Sequence, residues 1–417
     1  MSDPVISRKY DIVILGATGY TGRLTTEHVA RHLPADLKWA IAGRSYKKLE
    51  KIAAKVKSID PHRSQPSIET VAVDNDTQLD ALVKSTKVCI SIIYYRAGGE
   101  LVIESCIRSK TDYLDALGDP ITSREYINKY HKLAKTAGVA IIQACSFVSA
   151  PQDLLAYAVS QELRTKANVS TKEAICSIVE AAANPSGGSF AGIIDSILND
   201  PADAVREAHN PFTLSPVKRS SGPTPSGILG LRKESNLGLL SAAVVTAFID
   251  TALVNRTWGL LQERNAIEAY GKEFTFFEYQ KVNSAMGGLM HAFVTAVMNT
   301  ILSLSFMGHV LKRVVPEPGT GPDVEKTIDS PFKFEIVATG ETDNDGTERR
   351  VYGILEYPSD SYHFTGASLA QGAASLLYER GLVGGFTGGV LTPAILGQDF
   401  VQRLKGIGVK MEVRMID

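Results

Sequence analysis

Cysteine and tryptophan are scarce in this 417-residue chain, with four of the first and two of the second. The cysteines stand at 89, 106, 145 and 176, never as CxxC and with no Cys/His cluster around them. That spacing argues against a zinc site, and no metal is expected. Each lies among apolar neighbours, as buried free thiols in a reducing compartment do. Neither sign of charge is in excess: 44 basic residues face 45 acidic ones, a net charge of −1. A dedicated nucleic-acid binder would show a basic surplus, so nucleic acid is not an expected partner. The opening MSDPVISRKYD lacks the basic start and apolar core of a signal peptide, and a cytoplasmic protein is expected. No repeat of 20 to 50 residues runs through the chain.

What is present is the balance of a folded protein, 44% hydrophobic and 21% charged, long enough for two or three domains. Up to residue 150, short apolar runs alternate with helical patterns. Strands are expected at 10–15, 38–42, 70–73, 88–93, 113–115 and 139–143, with helices at 21–33, 46–58, 79–85, 100–109 and 125–137. This alternation reads as βαβ units in a parallel sheet covered on both faces. The fold class is α/β: a Rossmann-type parallel sheet over 1–150, then a second mixed α/β domain over 151–383 for substrate binding and dimerisation. Antiparallel strands are expected at 332–341 and 350–357. Pro201, Pro211, Pro216, Pro223 and Pro225 predict a mobile surface loop near 201–236. The segment 384–417 is expected to pack back toward the first domain.

Two stretches are strongly apolar. Residues 237–254 are broken only by Asp250, and 283–311 contain no Lys, Arg, Asp or Glu. The first reading is a pair of core helices in the second domain. The other readings are a surface for an acyl chain, membrane or lipid droplet, or, by length, a bilayer span.

The chemistry-bearing motif is Gly16-Ala17-Thr18-Gly19-Tyr20-Thr21-Gly22, which follows one predicted strand and opens a helix. Gly16 permits the tight turn, Gly19 lets backbone approach a diphosphate, and Gly22 lets the helix pack closely on the strand. The helix amides then receive the diphosphate. Thr18, Tyr20 and Thr21 belong to the same cradle. An NAD site carries an acidic residue at the end of the second strand, but here the chain reads Ala42-Gly43-Arg44-Ser45, followed by Lys47 and Lys48. Arg44 can pair with a 2′-phosphate and Ser45 can donate to it, so NADP(H) is the expected cofactor. Asp74, after the third strand, is placed for the adenine edge.

The chain resembles the saccharopine dehydrogenase-like oxidoreductases, which include trans-acting enoyl reductases. The resemblance rests on GATGYTGR at 16–23, AGRS at 42–45, GGELVIESCIRSKTDYLDALGD at 98–119 and ACSFVSAPQD at 144–153. In the C-terminal half it rests on PEPGTGP at 316–322, SYHFTGASLAQGAASLL at 361–377 and GGVLTPAILGQDFVQRLKGIGVKMEV at 388–413. It implies NADP(H) in a cleft between the two domains, a homodimer formed through the second domain, and lipid or polyketide chemistry in some members. Two departures stand out. A Gly-Pro-aromatic turn after the fourth strand becomes Ile93-Tyr94-Tyr95. The Gly-Phe-Asp-Ser-x-Pro-x-Asp segment keeps Phe147, Ser149, Pro151 and Asp153 but loses its glycine and first aspartate.

Enoyl reduction, which the resemblance implies, needs an oxyanion donor and a proton source beside the hydride donor. Tyr94 and Tyr95 are the catalytic candidates, at the carboxyl edge of the sheet. Arg96, Ser149 and His363 are the substrate candidates. Asp115 and Asp119 read as turn carboxylates, and His291 and His309 as satisfied core residues. The expected substrate is apolar, small or carrier-bound. Two alternatives stand beside reduction: a non-redox isomerase or cyclase on the same fold, and a lipid-surface cofactor-binding protein without turnover.

Overall fold

The structure is a computed structural model that describes residues 8–182, 185–219, 229–342 and 346–416. The chain opens with β1 (Tyr10–Leu15), α1 (Tyr20–His32), β2 (Trp39–Gly43), α2 (Tyr46–Ile59), β3 (Ser67–Thr70) and α3 (Asp76–Lys84). β4 (Thr86–Ser91), α4 (Gly99–Ser109), β5 (Asp112–Leu114), α5 (Pro120–Ala137) and β6 (Ala140–Ile142) follow. β1 is buried at five of its six positions, as a central strand covered on both faces must be. The side chains of Ser45, Asn75 and Asp119 cap α2, α3 and α5, which is why those helices start where they do. The third strand lies at 67–70 rather than 70–73, because the apolar Val71 and Val73 belong to the turn that leads into α3.

α6 (Ala150–Ala167) leads into the second unit, with β7 (Thr171–Glu180), α7 (Gly187–Asn199), α8 (Ala202–Ala208), β8 (Leu231–Glu234), β9 (Gly238–Ser241) and α9 (Ala247–Glu263). Next come β10 (Thr275–Val282), α10 (Ala285–Leu302), α11 (Ser305–Val314), α12 (Val324–Thr327), β11 (Phe332–Gly340) and β12 (Arg350–Tyr357). The chain ends with α13 (Ser361–Tyr378), β13 (Gly389–Leu391), α14 (Gly397–Gly406) and β14 (Lys410–Ile416).

Two seven-stranded sheets result. The first, β13-β6-β5-β4-β1-β2-β3, is parallel throughout. The second, β14-β12-β11-β7-β10-β9-β8, is antiparallel except between β7 and β10. α6 and α9 are buried along most of their length between the layers, which explains why neither shows a strong polar face. The residues after 360 divide between the sheets. α13 packs along α1 and β13 extends the parallel sheet beside β6, whereas β14 pairs with β12 at the edge of the mixed sheet.

The loop expected near 201–236 contains α8 and β8; its 220–228 part lies outside the described residues. Residues 237–254 form β9 and the start of α9, and α9 is a core helix. The core reading of 283–311 is overturned. α10 and α11 are exposed helices, and within α10 only Gly288 is buried. A charge-free run is apolar wherever it sits, and composition cannot say whether protein covers it.

Candidate functional site

The site grows from the turn between β1 and α1. Gly16 takes φ +88°, and a Cβ there would lie 2.8 Å from the Ile92 carbonyl oxygen, on the neighbouring strand end. A Cβ on Gly22 would lie 2.3 Å from the Gly16 carbonyl oxygen, so helix and turn pack backbone on backbone. Gly19 is the N-cap of α1 and supplies no side-chain cap, and the first turn carries no acidic residue. The leading amides of α1 are therefore not capped by a side chain at the positive end of the helix dipole, the arrangement that accepts a diphosphate. Thr18 sits beside Gly43 at the end of β2.

Tyr20 does not point into this cradle. Its ring is buried against Gly321 of the 316–322 segment and meets Tyr362 edge-on at 5.1 Å between centroids. Only its backbone faces the diphosphate position, because a loop some 300 residues downstream has claimed the ring. Thr21 uses its carbonyl to accept from the Thr25 hydroxyl, inside α1.

Arg44 is exposed and makes no hydrogen bond or ion pair among the described residues. Ser45 accepts from the Lys48 N–H as the α2 cap and keeps its own O–H to donate. With Lys47 and Lys48 exposed on the first turn of α2, the end of β2 is cationic and contains no carboxylate. These donors fit a 2′-phosphate and would not hold a ribose diol as an acid does. Asp74 is exposed in the turn before α3.

The β4 end is the other wall. Tyr94 donates to Asp195 of α7 at 3.0 Å, and burial pushes its hydroxyl pKa well up. Tyr95 lies 4.7 Å away ring to ring, its pKa pushed up to about 12, chiefly by burial. Arg96 reaches Asp195 at 3.1 Å, Asp200 at 2.6 Å and Asp119 at 3.6 Å. Burial opposes its charge, but the Asp200 hydrogen bond and the surrounding carboxylates prevail and raise its pKa. Arg96 is thus tied to three carboxylates and is not poised for a substrate. Asp195 and Asp200, a hundred residues beyond the motif, were not candidates; no local pattern marks them.

Ser149 and His363 also have partners within the fold. Ser149 is fully buried with φ +86° and donates to Asp250 at 2.6 Å; Gln152 bridges Asp250 and Glu278 behind it. Burial pushes Asp250 up to about 6 and raises Glu278. His363 is hydrogen-bonded to Asp360, the cap of α13, beside Tyr362, which meets Ser189 of α7. Asp115 accepts from the Leu117 and Ala144 amides, and Asp119 caps α5, as turn carboxylates do. Asp153 accepts from the Thr257 hydroxyl at 2.6 Å and the Ala394 N–H at 2.8 Å, and burial pushes it up to about 7. His309 is exposed, and His291 Nδ1 is buried without a partner. All four cysteines are free and buried, and no group of potential metal ligands occurs among the described residues.

Fold and cradle together define a two-domain dinucleotide-binding protein of Rossmann type. Residues 12–142 match the family profile of the saccharopine dehydrogenase NADP-binding domain. A Mycobacterium tuberculosis protein provisionally named a trans-acting enoyl reductase is 30% identical, over 97% of each chain. The trans-acting enoyl reductase of Mycobacterium leprae is 29% identical over 96% of this chain and 97% of its own. The solved apo saccharopine dehydrogenase (L-Glu forming) of Saccharomyces cerevisiae has the same fold. It covers 98% of this chain and 100% of its own, with a TM-score of 0.51 at 13% identity. The chain belongs to the saccharopine dehydrogenase-like oxidoreductase family and is an NADP-dependent oxidoreductase.

Proposed function

We propose that this protein is an NADPH-dependent enoyl reductase for an apolar, carrier-bound or polyketide-like substrate. The observation that carries this reading is the shared wall between cradle and helix. The Ile92 carbonyl and the Ile93 side chain lie against Gly16, Tyr94 and Tyr95 follow directly, and the apolar helix α7 lies on them at Gly192. An apolar chain laid along α7 would reach the β4 end with its reacting carbons beside the tyrosines. Bound NADPH supplies the hydride. Tyr95 is the better donor to a developing enolate, because the Tyr94 hydroxyl is spent on Asp195. With its pKa raised, Tyr95 stays protonated and able to donate across the physiological range. The names of the mycobacterial relatives support the same reaction class.

The test is NADPH oxidation in the presence of 2-enoyl thioesters of increasing chain length. One NADPH consumed per saturated product, with Tyr95→Phe slowed at least tenfold, is the expected outcome. Product without NADPH oxidation would replace the reading with an isomerase or cyclase. Sizing the NADPH-loaded protein tests the homodimer that the resemblance implies.

A further inference from the structure

α10 is 18 residues long, with a mean hydropathy of 1.4 and Gly288 alone buried, and among the described residues it is the one helix long and apolar enough to cross a bilayer. Met286, Met290, Phe293, Met298, Phe306 and Val314 stand out from α10 and α11 with about half to three-quarters of their surface exposed. Monomeric soluble proteins do not normally leave an apolar patch of this extent in water.

Both ends of the hairpin are tied to one body. Near its start α10 packs Gly288 against Leu231 of β8 and Val282 of β10. Beyond two connecting residues, α11 packs Gly308 against Ile197 and Leu198 of α7, and α7 is held to the first domain through Arg96. A bilayer span would place those anchors on opposite sides of a membrane. They lie on the same body, so the hairpin can enter a lipid layer only from one side.

Two observations identify the occupant. Residues 296–301, Ala-Val-Met-Asn-Thr-Ile, are all exposed over more than a full helical turn with no side set aside for protein, and the Thr300 hydroxyl is turned back onto the Ala296 carbonyl, which leaves Asn299 as the polar side chain of an otherwise apolar turn. A flat partner surface covers one face of a helix, whereas acyl chains cover every side. The charge carried by the hairpin itself is also one-signed. No Asp or Glu occurs from 279 to 316, and Lys312 and Arg313 are exposed at the end of α11 without an ion pair among the described residues. Cations bordering an apolar face are what anionic headgroups attract.

We propose that the α10–α11 hairpin is a one-sided docking surface for an anionic phospholipid bilayer. In that seat α7 lies between the lipid and the Tyr94–Tyr95 wall, so an apolar substrate has a short route from membrane to cleft. The docking itself does not depend on the redox reading.

The experiment is flotation of the full-length protein with vesicles of phosphatidylcholine alone and of phosphatidylcholine with phosphatidylserine, NADPH binding being measured in parallel. The expected result is flotation with the mixed vesicles, lost at least tenfold in Phe293→Asp/Met298→Asp while NADPH binding persists. Lys312→Glu/Arg313→Glu is expected to float equally poorly on both vesicle types. Three results would overturn the proposal: a native protein that stays in the soluble fraction, a Phe293→Asp/Met298→Asp protein that floats like the native one, or a native dimer that this variant dissociates without any vesicle binding. The last would make the hairpin the contact between two copies. Flotation without reductase activity would leave the docking intact and fault the function alone.

Discussion

At the residue scale, cofactor choice turns on one exposed guanidinium. Arg44 projects from the end of β2, where an NAD enzyme would present a carboxylate. Replacing it with alanine removes a charge-assisted contact to the 2′-phosphate and nothing that the fold uses. The expected effect is about tenfold weaker NADPH binding, or ~1.4 kcal/mol, with NADH binding unchanged. Fluorescence titration of both nucleotides checks it, and an equal loss for both would show a damaged cradle instead.

The buried carboxyls make a second residue-scale prediction. Asp115, Asp153 and Asp250 are pushed up to about 6, 7 and 6 by burial, from an unfolded value of 3.8. Between the unfolded and folded values the native state holds protons that the unfolded chain has released. The contribution of these three carboxyls to stability therefore falls as pH rises from about 4 to about 7, while His28 and His131, brought down to about 3 and about 4 chiefly by burial, contribute in the opposite sense up to the ordinary histidine value. The surface carboxylates with lowered values, such as Asp80 and Glu100, act in the opposite sense. Asp153→Asn keeps the neutral form at every pH and can still accept at one position. The melting temperature of this variant relative to that of the native protein should rise between about pH 5 and about pH 8. Identical slopes would show that Asp153 is ionised in the fold throughout.

Among the elements, α7 is the one that joins the two units over the site. Tyr94 and Arg96 hold its C-terminal half, Tyr362 donates to the Ser189 hydroxyl or accepts from it at 2.7 Å, and the Gly187 N–H donates to the Thr320 carbonyl. The Arg96 side chain is 24% exposed, so its pairs are partly screened. Asp200, at 4%, is not, and would be stranded without its partner. Arg96→Leu is expected to lower hydrogen-exchange protection across 187–199 about tenfold while leaving α1 unchanged. Unaltered protection would show that Tyr94, α11 and the N-terminal ties keep α7 in place without Arg96.

How much of this was legible from the residues follows from how far each cause lies along the chain. The βαβ alternation and the Gly16–Gly22 cradle are local: an apolar run, a glycine turn and a helix start stand side by side. The orientation of Tyr20 was illegible because residues 316–322 decide it. Arg96 read as a substrate candidate, and its ion pairs were illegible because Asp195 and Asp200 sit a hundred positions away in a different unit. Periodicity said that α10 is apolar and was silent on what touches it, because burial is a property of packing.

At the scale of the whole molecule, the two sheets are stitched rather than merely linked. β13 returns to the parallel sheet after both strands of the β11–β12 pair have been laid in the mixed one. One buried cation guards that return. Arg256 of α9 donates to the Leu214 carbonyl at 2.6 Å and to the Val390 carbonyl of β13, next to His131 of α5. Burial brings its pKa down to about 9, so it stays charged at neutral pH and is held by carbonyl dipoles rather than by a carboxylate in hydrogen-bond range. Arg256→Met removes the cost of burying that charge but leaves two carbonyls unsatisfied, each worth about 1–3 kcal/mol. The second effect outweighs the first, and a net loss of about 2–4 kcal/mol is expected. The loss falls on the joint between the units and not on either core. Calorimetry should therefore show one transition for the native protein and two for the variant, the lower one being separation of α9 from β13. A variant that melts in a single transition at the native temperature would place the joint elsewhere, in the Asp153–Thr257–Thr392 hydroxyl network that runs beside it.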